Sequence, residues 1–175
     1  IISSDKDFYQ LADDKTIIFR PVQNQIINKK KIIDEFGIHP NNFAISRAIC
    51  GDNSDNLKGV KGAGLATLAK RIPFLKEEKS ATFDDIFSFC SEQQGSIKLF
   101  ESILSSKDIV QKNYKLMQLY APSTQPSVKQ TVRECIKEYP QEFNKNEVKK
   151  MLLTDGIGEL DWSDLFSSMN RIAAT

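Results

Sequence analysis

The most constraining stretch of the chain is Gly51-Asp52-Asn53-Ser54-Asp55-Asn56-Leu57-Lys58-Gly59-Val60-Lys61-Gly62-Ala63-Gly64. Its two carboxylates, three residues apart, follow an apolar helical pattern in which Phe43, Ala44, Ile45, Ala48 and Ile49 share a face. A helix carboxyl end disfavours negative charge, so paired acids there call for a compensating cation. Glycines at 59, 62 and 64 permit φ > 0 and close approach of the backbone to a ligand. The helix that opens at Leu65 should present free amide groups at its start, as phosphate sites do. Between Asn56 and Lys76 stand Lys58, Lys61, Lys70, Arg71 and Lys76, with no acid. In a chain of net charge +1 that is a local electropositive face, as phosphate binding requires. The first half suits a hard cation and the second a phosphate. Together they point to phosphodiester chemistry.

The flanking sequence sets the bounds. At 175 residues the chain can bury a core and is most simply one domain, with room for a smaller appendage. Cys50, Cys90 and Cys135 lie far apart and His39 is the single histidine, which disfavours a zinc site or a disulfide framework and fits a reducing, cytoplasmic compartment. No apolar run approaches a membrane span. Ile1-Ile2, running into Ser3-Ser4-Asp5, has the character of the end of a buried parallel strand, so the chain resembles the carboxy-terminal part of something larger. In an extended segment Asp5 and Asp7 would project the same way; alternatively Asp7 is the N-cap of a helix starting at Phe8.

Further along, 16–21 and 25–28 pattern as a hairpin, and 32–36 as a short helix stopped by Gly37. Asn41 or Asn42 should cap the helix that follows. Helical spacing recurs over 83–89, 97–104, 109–119, 128–139, 148–153 and 162–169, with a break from Pro122 to Pro126. Asn144 and Ser163 are candidate caps and Gly156 a stop. Cys90 and Cys135 fall in helical patterns as buried small hydrophobes, and His39 is expected to be structural.

Two blocks now carry a resemblance. Ser4-Asp5-Lys6-Asp7-Phe8-x-x-Leu11, followed by Gly51-Asp52-x-x-Asp55-Asn56-x-x-Gly59-Val60-x-Gly62-x-Gly64, resembles the 5′ nuclease (flap endonuclease) superfamily in both order and separation. The helical tail is similar in character to the phage T4 ribonuclease H type. The resemblance implies a mainly α chain. Residues 1–40 would be the end of an α/β (PIN-like) nuclease sheet with a short hairpin. Residues 41–76 would be a helix–hairpin–helix-type element, and 77–175 a carboxy-terminal helical region. It implies Asp5, Asp7, Asp52 and Asp55 as catalytic ligands of two divalent ions. Oxygen-only ligands suit Mg²⁺ or Mn²⁺. It further implies Lys58, Gly59, Lys61, Gly62, Gly64, Lys70 and Arg71 as DNA-backbone contacts, and K⁺ at the loop carbonyls.

The family's earlier acidic ligands and its basic helical arch lie upstream of the block matching Ile1 to Phe8. The expectation is therefore half of a split active site, inactive alone, whose partners are DNA bearing a 5′ flap or RNA primer and the upstream nuclease half. The rival is a non-catalytic duplex-binding module. Asp161-Trp162-Ser163-Asp164-Leu165-Phe166 is loosely similar to the acidic D-L-F peptides that dock on sliding clamps. A clamp or a single-strand-binding protein is the partner such a tail implies. Trp162, Leu165, Phe166 and Met169 also fall on one helix face, and a packed final helix accounts for all four.

Overall fold

Alternating side chains organise the start of the chain. β1 (Ile18–Arg20) and β2 (Gln25–Ile27) pair antiparallel with Ile18 opposite Ile27 and Phe19 opposite Ile26. Ile18 and Ile27 are fully buried. Successive strand residues face opposite ways, so Ile17, Phe19 and Ile26 line the other face. Ile2 bridges Phe19 in parallel and joins that outer row, tied by Phe19 N–H to the Ile1 carbonyl (2.7 Å) and Ser3 N–H to the Phe19 carbonyl (2.9 Å). The parallel pairing matches expectation, but the burial does not. Ile2 is 77% and Ile26 57% exposed, because nothing among the described residues covers this face.

The computed structural model describes residues 1–93, 95, 97–120, 124–138 and 144–173. These fall into two units, Ile1–Pro122 and Ser123–Thr175, and the chain is mainly helical. Pro122, which opens the break described above, and residue 139, the last of the 128–139 helical pattern, lie outside the described residues.

In the first unit a six-residue 3₁₀ helix over Lys6–Leu11 precedes the hairpin. α1 (Lys29–Phe36) is capped by the Asn28 side chain and ends at Gly37 (φ +66°), so Lys29 to Lys31 form its first turn. His39 caps a short 3₁₀ turn over Pro40–Asn42 through Nδ1, and α2 (Phe43–Cys50) follows. Asn42 does not cap α2. Its buried amide instead donates to the carbonyls of Leu75, Glu77 and Lys79 and accepts from Ala81 N–H, which ties down the 75–81 loop. β3 (Gly51–Asp52) and β4 (Leu57–Lys58) make a second hairpin, and α3 (Leu65–Arg71) follows it. α4 (Phe83–Glu92) opens with a capping box between Thr82 and Asp85; α5 (Lys98–Ser105) and α6 (Lys107–Met117) complete the unit.

Six of the eight residues of α2 are buried, so this helix is the axis of the core. Phe43 packs its ring against Tyr9 and Phe36 with both centroids at 5.5 Å. From α6, the buried Asn113 amide donates to the Ala48 carbonyl (3.0 Å) and the Lys58 carbonyl (2.9 Å). One side chain thus fixes the end of α2 to the second hairpin. Gln10 performs a similar task near the start, donating to Met117 O and accepting from Leu119 N–H.

The second unit contains α7 (Pro126–Glu138), α8 (Lys145–Thr154) and α9 (Trp162–Ala173). Asn144 caps α8 as its sequence suggests, accepting from Asn146 and Glu147 N–H. Ser163 does not cap α9; it lies inside the helix, and Asp161 accepts the Asp164 N–H instead. Cys90 is buried but Cys135 is exposed, against expectation, because none of the described residues of α7 is buried.

Candidate functional site

α2 ends at Gly51 (φ +75°), a backbone conformation that turns the chain straight into β3. The four residues 53–56 close the hairpin, with Asn56 in the left-handed region (φ +56°). Glycine at 59 is required by internal packing. A Cβ there would sit 1.9 Å from the Cys50 carbonyl oxygen, so β4 could not lie against the end of α2. Only Gly62 of the three loop glycines has positive φ (+83°); Gly64 is extended at −114° and Gly59 is not in the left-handed region. Of the three positions where glycine permits that conformation, the chain uses it at one. Around Gly62 a Cβ would meet nothing within 4 Å, so this turn is open to an approaching group.

The hairpin carries Asp52 back beside α2, and there it meets Arg47. The Arg47 guanidinium donates through Nη2 to Asp52 Oδ2, and through Nε (3.2 Å) and Nη2 (3.1 Å) to Asp7 Oδ1. All three side chains are mostly withdrawn from solvent, at 16% exposed for Arg47, 19% for Asp7 and 13% for Asp52. Residues 7, 47 and 52, from the 3₁₀ helix, the last turn of α2 and β3, therefore form one ionic cluster. Arg47 was not among the residues singled out from sequence. Its signal was the unfavourable placing of acids at a helix carboxyl end, where a cation in the last turn is favoured.

Charge at the cluster follows from these contacts. Burial pushes the Asp7 carboxyl up, an effect Arg47 opposes and the negative charges of Asp5 and Asp52 reinforce. Asp52 is held down at about 2, first by hydrogen bonds from Ser54 Oγ and N–H and then by Arg47. Burial works against the Arg47 charge, but Asp7 and Asp52 more than compensate and its pKa rises.

The other two acids behave differently. The segment after Asp5 is not extended: Asp5 is the N-cap of the 3₁₀ helix, accepting the Asp7 N–H at 2.8 Å, and both readings of the Asp5–Asp7 pair are corrected. Asp5 is exposed, and Asp55 is exposed in the hairpin turn. Among the described residues no group of three or more His, Cys, Asp or Glu side chains comes together as a metal cage. Two do converge, on one cation. Their donors are oxygens only, and they already share a positive charge, so the pair fits a hard divalent ion as part of a larger set.

Lys58, Lys61, Lys70, Arg71 and Lys76 are all exposed, and among the described residues none forms an ion pair. Lys58 lies across the hairpin from Gly51, one residue from Asp52. No helix among the described residues is long and apolar enough to cross a membrane.

No protein-family model matches the chain. It is 40% identical over 70 residues to the thermostable DNA polymerase I of Thermus aquaticus, covering 40% of this chain and 8% of that protein. It is 29% identical over 120 residues to the 5′-3′ exonuclease of Aquifex aeolicus, covering 69% of this chain and 38% of that protein. The chain fits the 5′ nuclease superfamily. Its fold is shared with the bacteriophage T5 flap endonuclease, solved as a pseudo-enzyme–product complex with DNA and metal ions. That likeness has a TM-score of 0.54 and 22% identity, over 66% of this chain and 41% of the other. The 175 residues span less than half the length of each of these relatives.

Proposed function

We propose that this chain forms part of a 5′-3′ exonuclease or flap endonuclease that hydrolyses phosphodiester bonds next to a duplex it grips by the backbone. The observation that supports it is the ionic cluster of Asp7, Arg47 and Asp52 at one end of a hairpin whose continuation is an exposed cationic segment with no ion pair among the described residues. Asp7 and Asp52, together with the exposed Asp5 and Asp55, would hold Mg²⁺ or Mn²⁺. Two such ions would activate a water and stabilise the leaving oxygen. The chain's own part is to fix the acids: α2 is buried, Asn113 ties its end to β4, and Ser54 orients Asp52. Lys58, Lys61, Lys70 and Arg71 would pair with phosphates, and the open turn at Gly62 would let the backbone come close. Loop carbonyls there would suit K⁺. Residues 41–76 thus act as the DNA-binding and metal-holding element, between a sheet remnant (1–40) and a helical region (77–175).

The apolar outer row of Ile2, Ile17, Phe19 and Ile26 supports a further part of this reading. Sheets of the α/β kind are apolar on both faces because both are covered. We infer that the upstream half of the nuclease packs there and supplies the remaining acidic ligands, so that residues 1–175 alone cleave poorly. RNA primers and 5′ flaps are the substrates this reading favours. For the tail, a packed amphipathic helix is favoured over clamp docking. Trp162 and Phe166 contact each other at 5.9 Å and each lies under a lysine of α8, Lys149 and Lys145 respectively.

The test is duplex DNA binding across a salt series. Because phosphates carry the affinity, Lys61→Ala with Lys70→Ala should weaken all sequences alike and flatten the salt slope by about two. Loss confined to one base sequence would contradict a backbone grip. The non-catalytic alternative predicts the same binding but no metal-dependent cleavage once the upstream half is added back.

A further inference from the structure

Arg47 does more in this site than balance charge. Its guanidinium donates to Asp7 through two nitrogens and to Asp52 through one of the same two. Asp52 is then committed on both oxygens, Oδ2 to Arg47 and Oδ1 to Ser54. A divalent ion held by these carboxylates would compete with Arg47 for Asp7 Oδ1 and Asp52 Oδ2, and a second positive charge beside the guanidinium would be repelled. The arginine is also not free to drift. It stands in the last turn of a helix whose residues Phe43, Ala44, Ile45, Ser46, Ala48 and Ile49 are buried, so only its side chain can move. The helix carboxyl end favours a cation at this position whatever the acids do.

We propose that Arg47 is a built-in counter-cation that competes with divalent metal for Asp7 and Asp52, so that metal loading requires its guanidinium to leave the pair. This rests on the metal-dependent reading above and adds a residue to it. Arg47 is a positioning residue here: paired with the acids, it keeps them close and oriented, and displaced, it hands them over already assembled. The cost of displacing it lowers apparent metal affinity and sets the metal concentration at which the site loads.

The experiment is Mn²⁺ binding by the whole chain, followed by electron paramagnetic resonance or calorimetry, with wild type, Arg47→Gln and Arg47→Lys. Charge-assisted, multiply donated arginine contacts are strong, so removing the competitor should tighten Mn²⁺ by about tenfold or more. Arg47→Lys, a point charge without the fork, should fall between. In EDTA, Arg47→Gln should melt below wild type, and Mn²⁺ should raise its melting temperature more than it raises that of wild type. Should Arg47→Gln fail to fold, the wild-type protein still decides the matter. Saturating Mg²⁺ should shift the Arg47 Nε–H NMR signal as it leaves Asp7, and an unmoved signal with metal bound overturns the proposal. Equal Mn²⁺ affinity in wild type and Arg47→Gln overturns the competition alone. No Mn²⁺ binding by any variant overturns the metal reading and the competition together.

Discussion

The two units are built from the same kind of helices, yet they hold together differently. In Ile1–Pro122, α2 places six of eight side chains in the core, and Tyr9, Phe36 and Phe43 interlock around it. In Ser123–Thr175, α7 and α8 have no buried residue among those described, and Val128, Val132 and Ile136 form a stripe with about half or more of each side chain in solvent. Amphipathic spacing is as good in α7 as in α2. Spacing therefore says which face a helix would bury, while only tertiary contact decides whether it is buried. The acids of the candidate site belong to the first unit, where rigid packing can fix their geometry.

The sharpest way to break that contrast is to cut one large side chain from each unit. Phe43 is fully buried between two rings, so Phe43→Ala should cost about 3–5 kcal/mol of unfolding free energy, from lost transfer energy and the cavity left behind. Val132 is 52% exposed, so Val132→Ala should cost about 0.5 kcal/mol or less. Urea titrations of both variants measure this. Equal losses would mean that α7 is part of a core in solution and that the contrast is wrong.

What the sequence made legible divides along the same physical line. Local rules found the first hairpin, because the alternation that buries Ile18 and Ile27 is written in consecutive residues. They found the end of α1 at Gly37, the Asn144 cap and the basic, acid-free run after Asn56. They failed where a side chain's partner is distant in sequence. Asn42 sits where a cap belongs, but it satisfies four backbone groups of the 75–81 loop more than thirty residues away. Cys135 has helical spacing but is exposed among the described residues. Spacing drew attention to Asp52 and Asp55, and the family resemblance to Asp5 and Asp7, but neither pointed to Arg47, forty residues from Asp7. Its presence could be inferred only as a demand for some cation at the end of α2.

Within the first unit, the three glycines that follow the second hairpin grade the tightness of packing around the site. Gly59→Ala would force a methyl group into the Cys50 backbone and should cost about 2–3 kcal/mol, since main chain must move. Gly62→Ala meets no neighbour but must hold φ +83°, a conformation that costs an L-residue about 1–2 kcal/mol. Gly64→Ala, extended and open, should stay within about 0.5 kcal/mol of wild type. Thermal melts of the three variants give the order. A Gly59→Ala protein as stable as Gly64→Ala would show that the hairpin does not lie against the end of α2.

The smallest effect needs no substitution, because each unit carries its own thiol probe. Burial pushes Cys50 up to about 12 and Cys90 up to about 11, whereas Cys135 is exposed on α7. The thiolate is the nucleophile, so at pH 8 almost none of Cys50 or Cys90 is reactive in the fold. One equivalent of a maleimide should therefore enter the folded protein quickly, at Cys135. The sign of the pH dependence follows. In the unfolded chain these two thiols ionise near their ordinary value, and in the fold they stay protonated well above it. Raising the pH from about 9 towards 12 therefore favours the unfolded state and should bring both into reach. Peptide mapping after brief labelling at pH 8 assigns the site. Rapid modification of Cys50 at that pH would mean that the end of α2 opens readily, and the rigid frame holding Arg47 between its two acids would then have to be abandoned.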